Sequence, residues 1–285
     1  MYIATRMFFF VKVMIYIRLN LKQNNIMAKA KGKFFKGAVG PVVFKELNDQ
    51  QVVCSKPAPG KMKQTEATKK AAGVFGMSSK LQNLVKEIFN RDLIDFHDKS
   101  FQPRLIKELN PILHQSRNAA NGEYHFEEDS FKNLMNFEFN INSQLKDRLP
   151  IKPRITHEDN KLAVRFPDWE TAGRLKFKRG EEYGMMTVSV ALFRLKDGLQ
   201  IKVPLRQTIR LDKGIDDQLN GRMIQFDVPE DCLCVVSIFL KYYNEYRLLN
   251  HKDMSPAAII DAVVTKGTYQ ETDDYQWASM GIKLK

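Results

Sequence analysis

Lys29, Lys31, Lys33 and Lys36, interleaved with Phe34 and Phe35, form the cluster whose residue types best suit chemistry with a partner. That chemistry is binding. Ammonium groups pair with phosphates, and unstacked bases lie on aromatic rings. The blander reading is a solubilising tail whose two rings dock on the body. No RNA-recognition signature, zinc-finger spacing or basic zipper accompanies the cluster, so reading of a particular base sequence is not expected.

The other reactive residues are scattered. His97, His114, His125, His157 and His251 show no His-Glu-x-x-His pattern, and no Cys-x-x-Cys exists, so no metal or cofactor is expected. Glu127, Glu128 and Asp129 lie near His125, but a loop acid run reads first as a solvated face. Gly37 to Gly40 lacks the spacing of a phosphate loop and reads as a tight turn entering a hairpin. Trp169, followed by an acid, reads as a sandwich-edge or core-plug residue. Tyr242, Tyr243 and Tyr246 close the longest β-type run. Alternation places Tyr242 and Tyr246 on one face and Tyr243 on the other. No catalytic motif emerges, and an enzyme is not expected.

Charge is distributed unevenly. Residues 1–80 carry fifteen Lys/Arg against Glu46, Asp49 and Glu66, which accounts for the whole +12 excess. The remainder is close to neutral, so a basic N-terminal part precedes a neutral body, an arrangement suited to binding. Nineteen Phe and nine Tyr can bury a sizeable core. Three cysteines do not make a disulfide framework, and Cys232 and Cys234 are placed on one face of a strand, where they do not bond to each other. Buried thiols and a reducing compartment are expected. The apolar run Met7–Ile17 is short and holds Lys12, so it does not span a bilayer. A signal peptide over residues 1–30, ending at Ala28-Lys29-Ala30, is one reading. The reading adopted is a start at Met27, with residues 1–26 as an upstream extension and a cytoplasmic protein.

These residues need elements to position them. From Met27 to Lys36 the chain reads as a solvated arm. Val42–Lys45 and Gln51–Ser55 around Leu47-Asn48-Asp49-Gln50 predict a β-hairpin, ended by Pro57-Ala58-Pro59-Gly60. Val74, Met77, Leu81, Leu84, Val85 and Ile88 recur at helical spacing and predict a helix from Thr65 to Asn90. A second is predicted from Phe101 to His114, with Pro103 in its first turn and Pro111 kinking or splitting it. Ser130 to Met135 fits one more turn. From Phe137 the period becomes two. FEFNI, KLAVRF, LKFKR, MTVSVALFRL, QIKVPL, TIRL, MIQFDV, CLCVVSIFLKYY and AIIDAVV predict antiparallel strands with no long helix between them.

GAVGPVVFKELNDQQVVCSKP, followed by KQTEATKKAAGVFGMSSKL, resembles an uncharacterised family of bacterial proteins found mainly in the Bacteroidetes. The resemblance covers Met27 to about Leu81 and implies a Gly-rich hairpin, a Lys-Gln-Thr-x-x-Thr helix start and a sandwich-like C-terminal region. It implies no activity for any residue. The chain is therefore expected to be α+β: an extension (1–26), a basic arm and hairpin (27–64), a helical segment (65–136), and an antiparallel immunoglobulin- or fibronectin-III-like β-sandwich (137–285). The expected function is non-enzymatic binding through protein contacts, as an assembly component or in self-assembly. The alternative is non-specific binding of nucleic acid or another polyanion by the basic arm. No small-molecule substrate and no membrane span are expected.

Overall fold

A computed structural model describes residues 28–47, 49–56, 65–93, 96–158, 160–168, 175–215, 218–245, 247–270 and 274–285. The expectations for residues 1–26, 57–60, Trp169 and Tyr246 lie outside them. The fold is mixed α and β with antiparallel sheets, and it divides into two units, residues 1–67 and Thr68–Lys285.

In the first unit four strands form a meander: β1 (Lys29–Lys31), β2 (Phe34–Val39), β3 (Val42–Leu47) and β4 (Gln50–Ser55). Each connection is a two-residue turn, since Lys31 pairs with Phe34, Val39 with Val42, and Leu47 with Gln50. Such turns need positive φ, supplied here by Gly32 (62°), Gly40 (56°) and Asp49 (58°). The predicted β3–β4 hairpin is present. The solvated arm is not: from Lys29 onward it is strand. Glycine at the first turn lets the Lys-rich segment fold back on Phe34 and Phe35, and the charge pattern did not reveal this. The side chain of Gln51 also ties β2 to β3, accepting from the Phe35 N–H (2.7 Å) and donating to the carbonyls of Phe35 (3.0 Å) and Lys45 (2.8 Å).

Helix α1 (Glu66–Leu93) begins at the end of the first unit and lies mostly in the second. Glu66 in its first turn and Arg91 in its last match the helix dipole. Its buried side includes Val74, Leu81, Leu84, Val85 and Ile88, as the spacing predicts, and extends to Phe89. Helix α2 (Phe101–Gln115) runs unbroken through Pro111. Of the predicted kink or split at Pro111, the split does not occur; Pro111 and Lys107, the residue whose carbonyl loses its helical donor, are both exposed. A single 3₁₀ turn at Lys132–Leu134 occupies the expected Ser130–Met135 stretch.

Two sheets follow, connected among the described residues by a one-turn helix, α3 (Leu145–Arg148), and loops. The larger is built on β8 (Tyr183–Arg194) and β12 (Leu233–Tyr243), which pair along the whole length of β12. Their runs are buried on both faces, which requires a layer on each side. Outside β12 come β13 (Ala257–Val264) and β5 (Phe137–Glu138). Along the other edge of β8 lie β10 (Leu205–Asp212) and β9 (Leu199–Ile201), with β14 (Trp277–Ser279) beyond β9. The smaller sheet has the order β11 (Met223–Asp227), β7 (Lys161–Arg165), β6 (Arg154–Glu158). Its strands alternate, turning Leu162, Val164, Ile224 and Phe226 into the core.

LKFKR is not a strand. Lys176 instead donates its N–H to Arg148 O (2.8 Å) while Leu175 and Phe177 pack on the core. Strands β6 and β14 are additions that the sequence reading did not predict. On one face of the large sheet, α1 seats Phe89 against Phe239 (ring centroids 5.5 Å) and Phe139 (6.0 Å). Ser189 and Ser237, paired across β8 and β12, belong to that same face. Asp92 Oδ2 accepts from Ser189 Oγ (3.4 Å) and Arg206 Nε (3.0 Å) there.

Candidate functional site

The structure gathers the predicted basic-aromatic cluster onto the β1–β2 hairpin. Lys29 lies opposite Lys36, Ala30 opposite Phe35, and Lys31 opposite Phe34. Two like charges directly across a ladder repel, and the Lys36 Nζ–Glu46 Oε2 pair at 2.6 Å offsets one of them. Lys33 Nζ sits 5.2 Å from the centroid of the Phe34 ring. Phe35 is 54 % exposed, although its ring meets Phe44 at 6.2 Å.

No described residue between 28 and 56 is buried. Val39, Leu47 and Val53 join Phe35 among the exposed large apolar side chains of this unit. The predicted tight turn stands at Gly40-Pro41, and Gly37, in β2 with φ 127°, adds a kink that only glycine adopts readily.

A second candidate was only partly visible in sequence. Glu127, Glu128 and Asp129 line a groove of about 730 Å³ with Lys132, Met135, Ile155, Thr156, His157, Glu158, Asp261, Ala262, Val263 and Lys266. Three elements build it: the loop before the 3₁₀ turn, strand β6, and the outer side of β13. Ion pairs organise its rim, Lys132–Asp129 at 2.7 Å and Lys266–Glu128 at 2.6 Å. Those contacts lower the Asp129 carboxyl and raise the Lys266 ammonium. His125 meets Glu127 at 2.9 Å at the mouth. Burial pushes the Asp261 carboxyl up, although Ala262 N–H donates to it at 2.8 Å. Burial also pushes the His157 imidazole down, against the pull of Glu128 and Glu230, and its Nε2 is sealed from solvent without a hydrogen-bond partner.

Two buried ion pairs look catalytic by residue type but serve the scaffold. Asp98 accepts from Ser100, Arg104 and Ile141, so it fastens the start of α2 to the segment after β5. Burial is the largest single effect and pushes its carboxyl up, but the bonds and the Arg104 charge together outweigh it and bring the carboxyl down. Arg148 and Glu181 bind the end of α3 to the loop before β8, beneath Tyr242. Among the described residues no group of three or more His, Cys, Asp or Glu converges as a metal site. His97, His114 and His251 lie apart from the groove lining. Cys54, Cys232 and Cys234 are free thiols. No described helix is long and apolar enough to cross a membrane.

The chain matches no protein-family model, no curated protein and no solved structure. The resemblance to the Bacteroidetes family therefore rests on the quoted residues alone.

Proposed function

We propose that this is a non-enzymatic binding protein that acts through protein–protein contacts as a component of an assembly. One observation carries the reading: a four-stranded sheet in which no described residue is buried, presenting Phe35, Val39, Leu47 and Val53 to solvent. A sheet becomes independently stable by burying one face against another layer. Phe35, Val39 and Val53 share one face of the sheet and Leu47 lies on the other, and exposed apolar side chains gathered on one face of so small a unit mark a docking surface. The immunoglobulin- or fibronectin-like sandwich belongs to this proposal. The large sheet with two buried faces and the smaller alternating sheet in one core support it, and such sandwiches present loops for binding.

Sedimentation and hydrogen exchange on the full chain test the reading together. Assembly that grows with protein concentration, with amides of residues 34–55 gaining protection in step, is the expected result. A monomer at all concentrations whose sheet amides are already protected when dilute would overturn it.

A second reading has its own observation. The hairpin sets Lys29 across from Lys36 with Phe34 and Phe35 beside them, a basic ladder suited to a phosphate backbone. We infer that polyanion binding is the alternative use of the same hairpin.

A further inference from the structure

The groove between β6 and β13 is acidic on a basic protein. Five carboxylates line it, Glu127, Glu128, Asp129, Glu158 and Asp261, against Lys132 and Lys266, on a chain of net charge +12. Both lysines are already committed to rim carboxylates. Glu127 keeps 72 % of its side chain in water, so the rim has anionic capacity to spare. The floor is apolar, with Met135 47 % exposed beside Ile155, Ala262 and Val263.

One wall of the groove is an open strand. Among the described residues β6 has a neighbour, β7, on one side only, and such an edge offers backbone donors and acceptors to an added strand. An occupant that fits is extended, cationic and partly apolar.

The first unit has that chemistry. Residues 28–56 hold six lysines against Glu46 and Asp49. Among the described residues β1, Lys29-Ala30-Lys31, is an edge strand of its own sheet. Phe35 stands exposed on the next strand. We propose that the β6–β13 groove receives the basic β1–β2 hairpin of a second copy of this chain, lysines on the carboxylate rim and apolar side chains over the floor. This rests on the reading that the four-stranded sheet is a docking surface, and it names the surface onto which that sheet docks. The arrangement is heterologous, since hairpin and groove are different patches, so it propagates head to tail unless a ring closes it.

Charge reversal on each side, read by sedimentation equilibrium of the full chain, tests the pairing. Glu127→Lys with Glu158→Lys, or Lys29→Glu with Lys33→Glu, is expected to raise the dissociation constant about tenfold or more and to flatten its dependence on salt. Mixing the two reversed proteins should give pairs tighter than either forms alone. Circular dichroism checks that each variant keeps its fold. If the groove variant associates like the parent while Val53→Ser with Leu47→Ser dissociates it, the groove is not the receptor but the docking sheet stands. If all of them stay monomeric with the parent, both readings fall. If the lysine reversals abolish retention on a phosphate polymer and leave the oligomeric state unchanged, the hairpin serves a polyanion and the groove inference is overturned.

Discussion

Arg148 and Glu181 meet as a sealed two-pronged ion pair, with Nη2–Oε1 at 2.6 Å and Nη1–Oε2 at 3.3 Å. The guanidinium carbon lies 4.6 Å from the centroid of the Tyr242 ring, and Nη1 also donates to Lys176 O at 3.0 Å. Glu181 Oε2 in turn accepts the Lys178 N–H. Arg148 ends α3, Lys176, Lys178 and Glu181 lie on the segment 175–182, and Tyr242 lies in β12, so the pair holds these three parts together. Replacing only one member strands a buried charge. Glu181→Gln or Arg148→Met is expected to cost about 3–5 kcal/mol. Urea unfolding of each single variant measures it. The double replacement Arg148→Met/Glu181→Leu should recover much of the loss, because no isolated charge then remains. A single-variant cost below about 1 kcal/mol would place the pair in effective contact with water.

Glu138 gives stability a pH dependence whose sign is opposite to that of an ordinary paired carboxylate. Burial pushes its carboxyl from the usual 4.5 up to about 7, outweighing the Leu145 N–H that donates to Oε2 at 2.8 Å. Between those values the native protein holds a proton that the unfolded chain has lost. The contribution is therefore full below pH 4.5, declines as pH rises, and is gone above about 7. Glu138→Gln keeps an acceptor for Leu145 and removes the titration. It should match the parent near the acid end of the window and exceed it in urea midpoint above it. A parent midpoint that rises across the same window sinks the assignment. The lowered carboxyl of Asp98 acts below its usual 3.8, outside this range.

Thiol chemistry separates the three cysteines. Burial raises the Cys232 thiol to about 12 and lifts Cys234 well above its usual value. Both are buried, whereas Cys54 on β4 is half-buried. A thiolate-directed reagent should modify Cys54 in the native protein and reach the other two only on unfolding. Mass spectrometry of the native, labelled chain checks this, and rapid modification of Cys232 or Cys234 would show that the β12 end opens.

Regular periodicity was the readable part of the sequence. Val74 to Ile88 and CLCVVSIFL repeat apolar residues at the spacing of their elements, so α1, β8 and β12 were legible. LKFKR alternates equally well and is no strand, because Lys176 bonds to Arg148 O rather than to a ladder. β6, RITHE, carries only Ile155 as an apolar signal and forms because β7 pairs with it. The arm was legible as charge but not as strand. Its first turn depends on one positive-φ glycine, Gly32, in a Lys-rich stretch that composition reads as solvated. The acid run 127–129 was seen without its context. Glu158 and Asp261 join it only through the meeting of β6 and β13, separations that no local pattern reports.

The two uses proposed for the basic hairpin differ in their response to salt and to base stacking. If it serves protein contacts, the full chain shows no binding to duplex DNA at ~50 mM salt, where phosphate contacts are strongest. If it serves a polyanion, binding is weak, indifferent to sequence and steeply salt-dependent, since each phosphate neutralised releases condensed counterion. Lys29→Gln, Lys31→Gln and Lys33→Gln should then each reduce the log–log salt slope by up to about 0.9 on duplex DNA. Lys36 is left in place because it holds Glu46 at 2.6 Å, so its replacement would disturb the sheet as well as the charge. Phe35→Ala should weaken single-strand binding more than duplex binding, because only unstacked bases offer a face to the exposed ring. Fluorescence anisotropy with a labelled duplex and a labelled single strand, titrated across salt, reads all of these. Salt-dependent binding that loses slope with each lysine would displace the protein-contact reading. Its absence leaves the acidic groove of a second copy as the anionic partner for these lysines.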